Sequence, residues 1–155
     1  RIMWFTSVAA SFLLLFMTLA HIQTPAIIEA AYTDISHDAE TYNGMQSSVS
    51  QWLNENRIQA VPEKYKVEMS KLCQLDKYEA RHLRIAGAEQ GTLHLFFHQG
   101  PHPRYWMNDT GSDELVNWKI INVRDDLTLI VMHTHDMREE AIQNILNNML
   151  PELQA

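Results

Sequence analysis

Histidine is the residue type best able to do chemistry in this 155-residue chain, which contains eight of them. His133 and His135 form an H-x-H pair. On a strand, side chains two apart point to one face about 7 Å from each other, within reach of a single metal ion. Structural zinc takes four ligands, so the pair becomes a metal site only if Asp136 or a methionine joins it. The other reading is two strand-end imidazoles facing water or helix carboxylates. His94 and His98 also share a face, but about 13 Å apart along a strand, too far for a common ion. With His82 and Arg84 they are expected on the sheet face opposite the apolar one, where a neighbouring carboxylate or a partner would tune their titration. The alternative there is a solvated sheet back.

Cys73 and His82 have the types of a nucleophile and a base. A strand pairing that sets Leu83 and Ile85 against Ser70 and Leu72 would scatter the apolar side chains. A one-residue shift gathers Val67, Met69, Cys73, Leu75, Leu83 and Ile85 on one face, so the shifted register is expected. Cys73 is then a small core side chain. Asp125 and Asp126 sit in a turn and read as solvated turn formers rather than an acid/base pair. The sequence contains no Gly-rich phosphate loop, no G-x-S-x-G elbow and no H-E-x-x-H helix. Neither a catalytic residue nor a cofactor is expected. Met137, Met149 and Trp52 lie at helical spacing and suit core packing better than a methionine-rich copper site. The segment from Gly100 to Gly111 is different, because His102, Arg104, Tyr105, Trp106 and Met107 put aromatics and a cation on a loop, a composition enriched at binding hot spots. These five are the candidate partner-binding residues. Otherwise the loop folds its aromatics back onto the sheet.

The elements that must hold these residues follow from periodicity. Ser47 or Ser48 can cap a short helix carrying Val49, Trp52 and Leu53, which ends before Pro62. Period-two runs then predict three strands in a meander, around Val67 to Leu75, Leu83 to Ile85 and Leu93 to Phe97. After the loop, Val116 to Val123 and Leu127 to His133 predict a hairpin. Asp136, with Glu139 reaching back, can cap a final helix whose stripe is Met137, Ala141, Ile142, Ile145, Leu146 and Met149. The folded part is thus α+β: a small antiparallel sheet of about five strands with a helix before it and a helix after it, both helices on one sheet face.

Ile2 to Ala20 contains no ionisable side chain. Nineteen residues in a helix reach roughly 28 Å, the thickness of a bilayer core, which predicts a transmembrane helix over 1–22 in contact with membrane lipid. A cleavable signal peptide competes, with Ile28 and Ala30 as its cleavage pattern, but its apolar region would be unusually long. Arg1 against Glu29 puts the N-terminus in the cytoplasm. An opening Arg rather than Met suggests that residues precede it. Residues 23–46 read as a linker and 47–155 as an extracytoplasmic domain. The formal charge is -7 and no Lys/Arg run is present, so nucleic-acid binding is not expected. With one cysteine, no internal disulfide can form and the core must supply the stability.

The order of a helix, a strand with Cys73, the "RHLRI" strand, the "EQGTLHLFF" strand, a Trp-containing strand, the "LTLIV" strand and a terminal helix resembles an uncharacterised family of proteobacterial membrane proteins found with extracytoplasmic-function sigma factors. The matching positions are Cys73, His82, Leu83, Gly91, Pro101 and Leu129 to Val131. That family looks like anti-sigma factors. The resemblance implies a short cytoplasmic region, one membrane helix and a periplasmic domain of this layout in the bacterial inner membrane. It further implies a non-enzymatic regulatory or sensory protein with a protein partner. Two other readings stay open: an accessory subunit of an inner-membrane complex, packed through Ser7, Ala10 and Ser11, and a periplasmic metal-binding protein using the histidines.

Overall fold

Short polar turns between runs of β-branched, aromatic and leucine residues create an antiparallel sheet. The protein is seen in a computed structural model that describes residues 24–102 and 109–154. Its strands are β1 (Lys66–Leu75), β2 (Tyr78–Ala86), β3 (Thr92–Gln99), β4 (Thr110–Ser112), β5 (Val116–Arg124) and β6 (Leu127–Thr134). Asp76 takes a left-handed φ of 52° in the β1–β2 turn, a conformation that Asp tolerates better than most residues. The order across the sheet is β1-β2-β3-β6-β5-β4, so the last strand lies beside the third. Helices α1 (Ala26–His37), α2 (Ser47–Glu55) and α3 (Glu139–Met149) complete the described elements, with a 3-10 turn over Pro151–Gln154.

Helices cover both faces of the sheet. On one, α2 and α3 bury Val49, Leu53, Ile142, Ile145, Leu146 and Met149 against Leu83, Leu95, Phe97, Leu129 and Val131. On the other, α1 buries Ile27, Ile28 and Ala31 in a separate cluster with Leu75, Phe96, Trp118, Ile130 and Met132. The central strands are consequently closed to water on both sides: Leu93 to His98 of β3 and Leu127 to Met132 of β6 are buried without interruption. This is how strands look when both faces are covered.

The expected α+β fold class is corrected in several respects. The sheet has six strands rather than about five, because Thr110–Ser112 pairs with β5 inside the presumed loop. Three helices pack on it rather than two. Residues 26–37, expected as linker, form α1, so the folded unit starts well before residue 47. The transmembrane helix expected over 1–22 lies outside the described residues. Among the described residues, no helix is long and apolar enough to cross a membrane.

The register is corrected too. Ser70 pairs with Leu83, Lys71 with His82 and Cys73 with Ala80, with a bulge between Val67 and Met69. The one-residue shift assumed a single buried face. With α1 on the other face, both sets of side chains have an apolar side to enter, and the bulge lets Val67 and Met69 change parity. Neither expected cap forms. Gln46 precedes α2 and Arg138 precedes α3, each without a side-chain capping bond. Instead the Gln46 backbone N–H donates to Ser70 Oγ, tying the start of α2 to β1 at 2.6 Å.

Gly91 joins the β2–β3 turn to the entrance of α3. It sits at φ +83°, and a Cβ there would come within 2.5 Å of Met137 Cβ and 2.6 Å of its Cα. Gly91→Ala is expected to lower the unfolding free energy by about 2 kcal/mol or more, through left-handed strain and this clash together. Ile28→Ala is expected to cost about 2–4 kcal/mol, because the side chain has no exposed surface. Urea denaturation checks both, and an unmoved midpoint for Ile28→Ala would show that residues 26–37 are not part of the folded unit.

Candidate functional site

Along α1, the stripe that faces the sheet begins apolar and ends acidic. Ile27, Ala31, Asp34 and Asp38 follow at four- and three-residue spacing, so the carboxylates share the buried face with the apolar residues. Beneath them the sheet presents Lys71 of β1, His82 and Arg84 of β2, and His94 of β3. His82 lies opposite Lys71 and Phe96, while Arg84 lies opposite His94. His82 and His94 are therefore diagonal neighbours on one face.

A continuous hydrogen-bonded chain results. His82 Nδ1 is 2.8 Å from Asp34 Oδ2, and His82 Nε2 is 2.9 Å from His94 Nδ1. The ionised carboxylate can only accept, so His82 Nδ1 carries the proton; the neutral ring then accepts at Nε2 from His94 Nδ1–H. The Lys71 ammonium donates to Asp34 Oδ1 at 2.6 Å and also bonds Asp38. Arg84 donates to the carbonyls of Asp38 (2.8 Å) and Ala39 (3.1 Å) and to that of Thr41. It also pairs with Glu68 at 3.3 Å and stacks under Tyr42 at 4.5 Å. A cation just past the C-terminal end of α1 opposes the negative end of the helix dipole. Phe96 stacks on the His82 ring with centroids 4.0 Å apart.

Burial dominates the electrostatics. His82 is fully buried and His94 is 6% exposed. Loss of water lowers the pKa of His82, and the Asp34 bond only partly opposes it. For His94, burial and then the charges of His82 and Arg84 lower the pKa to about 3. Burial alone would raise Asp34, but the bonds from His82 and Lys71 outweigh it and the carboxyl is held below its usual range. Lys71 is raised, its bonds to Asp34 and Asp38 overcoming the effect of burial. Cys73, on the same face, is pushed up to about 12 by burial and by the Asp34 charge. A thiol kept protonated is neither a nucleophile nor a metal ligand near neutral pH. Ser70, the neighbouring hydroxyl, donates to the Gly44 carbonyl at 2.9 Å and accepts from Gln46. The cluster can hold and exchange protons, and it positions no activated nucleophile.

Farther along β3, His98 stacks on Tyr78 with centroids 4.3 Å apart and bonds the Gln99 carbonyl at 3.0 Å through Nδ1. Its Nε2 and the Nδ1 of His102 are buried without a hydrogen-bond partner among the described residues. The His102 backbone N–H is 3.1 Å from both Asn122 Oδ1 and Thr128 Oγ1, which ties His102 to β5 and β6.

Of the expected partner-binding residues, only His102 falls among the described residues; Arg104, Tyr105, Trp106 and Met107 lie outside them. Each ring of the expected metal pair, His133 and His135, bonds a backbone carbonyl through one nitrogen. His133 bonds the Thr134 carbonyl through Nδ1 and lines a cavity of about 350 Å³ with Lys119 and Glu139. His135 bonds the Asp113 carbonyl at 2.8 Å. Among the described residues, no three His, Cys, Asp or Glu side chains are arranged to hold a metal. His82, Arg84, His94 and His98 do share one face, as expected, but α1 covers it and a carboxylate from α1 reaches in. Asp34, Asp38 and Lys71 were not singled out from sequence. The available signal was the spacing of Ile27, Ala31, Asp34 and Asp38.

Stability depends on pH through these rings. A histidine held neutral in the folded state gains its proton on unfolding, so acidification favours the unfolded chain. The loss begins near the unfolded pKa of about 6.5 and continues until the folded pKa is reached. Between about pH 7.5 and pH 5.5, His94 alone is expected to cost about 1.4 kcal/mol, with His82 and His98 adding in the same direction. Urea titrations at the two pH values check this, and His94→Gln is expected to reduce the difference. Asp34→Asn is expected to destabilise by about 1–3 kcal/mol at neutral pH, since it leaves Lys71 and His82 without their charged acceptor.

No protein-family model, curated protein or solved structure matches the chain.

Proposed function

We propose that this chain is a non-enzymatic regulatory or sensory domain that acts on a protein partner, as its resemblance to the anti-sigma-like proteins implies, with α1 as its moving part. The observation that carries this reading is the way α1 is attached. It has its own small core, separate from the one built by α2 and α3, and a polar cluster joins Tyr32 and Ile35 in closing its C-terminal half onto the sheet. Lys71 and His82 bond Asp34 of α1, and His94 bonds His82. Such a cluster suits a dock that can be made and broken. Elements that move in regulation are drawn from the less stable parts of a fold.

Among the described residues no third His, Cys, Asp or Glu joins His133 and His135, so nothing there favours the metal-binding reading. The accessory-subunit reading is separated by experiment. A photoreactive residue placed at the exposed positions Tyr42 and Leu115 of the intact chain in its own cells is expected to crosslink one recurring protein. Deletion of the gene is expected to change transcription from a promoter that depends on an extracytoplasmic-function sigma factor. A recurring crosslink to a stable complex subunit with unchanged transcription favours the accessory subunit. No recurring crosslink and no change in transcription would remove both readings.

A further inference from the structure

We infer that the input of this domain is acid: protonation of the His82–His94 pair releases α1 from the sheet and uncovers the apolar face beneath it. This rests on the reading of α1 as the moving part and names the signal that moves it.

The geometry limits how many protons the docked state can take. The chain Asp34–His82–His94 has one proton in each of its two bonds. One further proton can stay inside it. His82 then donates from both nitrogens, to Asp34 and to His94 Nδ1, and the remaining proton of His94 moves to Nε2. A second cannot be held in this arrangement. With both rings doubly protonated, two N–H groups face each other across 2.9 Å with no lone pair between them. Two imidazolium charges would also stand beside Arg84, which adds to the charge of His94, and Lys71, which adds to that of His82.

The surroundings supply too few anions to offset this. From α1 come Asp34 and Asp38, both already bonded to Lys71. From β1 come Lys71, the protonated Cys73 thiol and Glu68, whose carboxylate faces Arg84. The stretch after α1 contributes Tyr42 over Arg84. From β3, His98 on the same face is itself buried. The neighbouring positions of β6 and β5 on this face are Met132, Ile130, Trp118 and Ile120, none of which titrates.

Undocking α1 relieves the constraint locally. Its three buried apolar side chains belong to a cluster separate from the core under α2 and α3, so the sheet keeps its other covered face. Once water reaches them, both rings take protons below about pH 6.5, and the ratio of undocked to docked molecules rises about tenfold per pH unit for each proton the docked state refuses. The uncovered surface includes Leu75, Phe96, Trp118, Ile130 and Met132, an apolar patch of the kind that binds proteins.

Cys73 reports this motion, because it is the chain's sole thiol and packs in the cluster that α1 covers. Its labelling by 4,4′-dithiodipyridine in the intact chain is measured from about pH 7 to about pH 5 and divided by the rate for a free thiol at each pH. Hydrogen exchange of β3 and β6 is followed in parallel. The expected result is a normalised rate that rises tenfold or more on acidification while β3 and β6 stay protected. His94→Gln, which can still bond His82 but cannot become a cation, is expected to flatten the rise, and His82→Gln is a second variant with the same expectation. A flat rate in the unmodified chain overturns the proposal. So does a rise that appears only together with exchange of β3 and β6, and so does an unchanged rise in both variants. Any of these leaves the partner-binding reading standing, since that is tested by crosslinking.

Discussion

The Asp34 carboxylate is the point on which the second layer of this fold depends. It accepts from Lys71 on one oxygen and from His82 on the other, so one side chain of α1 reaches two adjacent strands. A carboxylate brought out of water costs free energy unless it is paired and hydrogen-bonded. Here both conditions are met within hydrogen-bond distance. The helix itself is weakly specified: Pro25 precedes it without a side-chain cap, and only Ile27, Ile28 and Ala31 are fully covered. Without the acidic end of its stripe, α1 would be held by these three side chains and the half-buried Ala30, Tyr32 and Ile35.

The protein therefore has two kinds of interior. One face of the sheet is sealed by leucine, isoleucine, phenylalanine and methionine with hardly a polar atom, and it behaves as an ordinary core. The other mixes an apolar half under the first turns of α1 with a charged half under its end. The two halves respond to different variables. Apolar contact is nearly indifferent to pH, whereas the charged half follows the protonation of its imidazoles. A layer attached in this mixed way can be loosened by solution conditions without the rest of the molecule coming apart.

Much of the fold was legible in the sequence. The meander, the hairpin and the stripe of α3 were signalled by their periods, because each presents a continuous apolar surface to the main core. The grouping of His82, Arg84, His94 and His98 on one face followed from strand parity. What escaped was whatever depended on the second covered face. Residues 26–37 have an apolar stripe too short to stand out, finished by aspartates that read as linker residues. The register of Ser70 against Leu83 is unfavourable for a sheet with one side in water and becomes favourable once α1 covers that side. The short strand at Thr110–Ser112 is held by pairing with β5 rather than by any pattern of its own. Lys71 and Asp34 are ordinary surface types, and only tertiary placement makes them partners.

The order of elements has a consequence for biosynthesis. Helix α1 precedes every strand in the chain, yet the platform it rests on includes Trp118 of β5 and Ile130 and Met132 of β6. A ribosome delivers this helix well before it delivers the last parts of its seat, and nascent chains emerge at only about 5–20 residues per second. During that interval of several seconds the segment Ala26–His37 waits with its isoleucines uncovered, open to capture by a chaperone. The earliest described helix to be made waits for a seat that only the last strand completes.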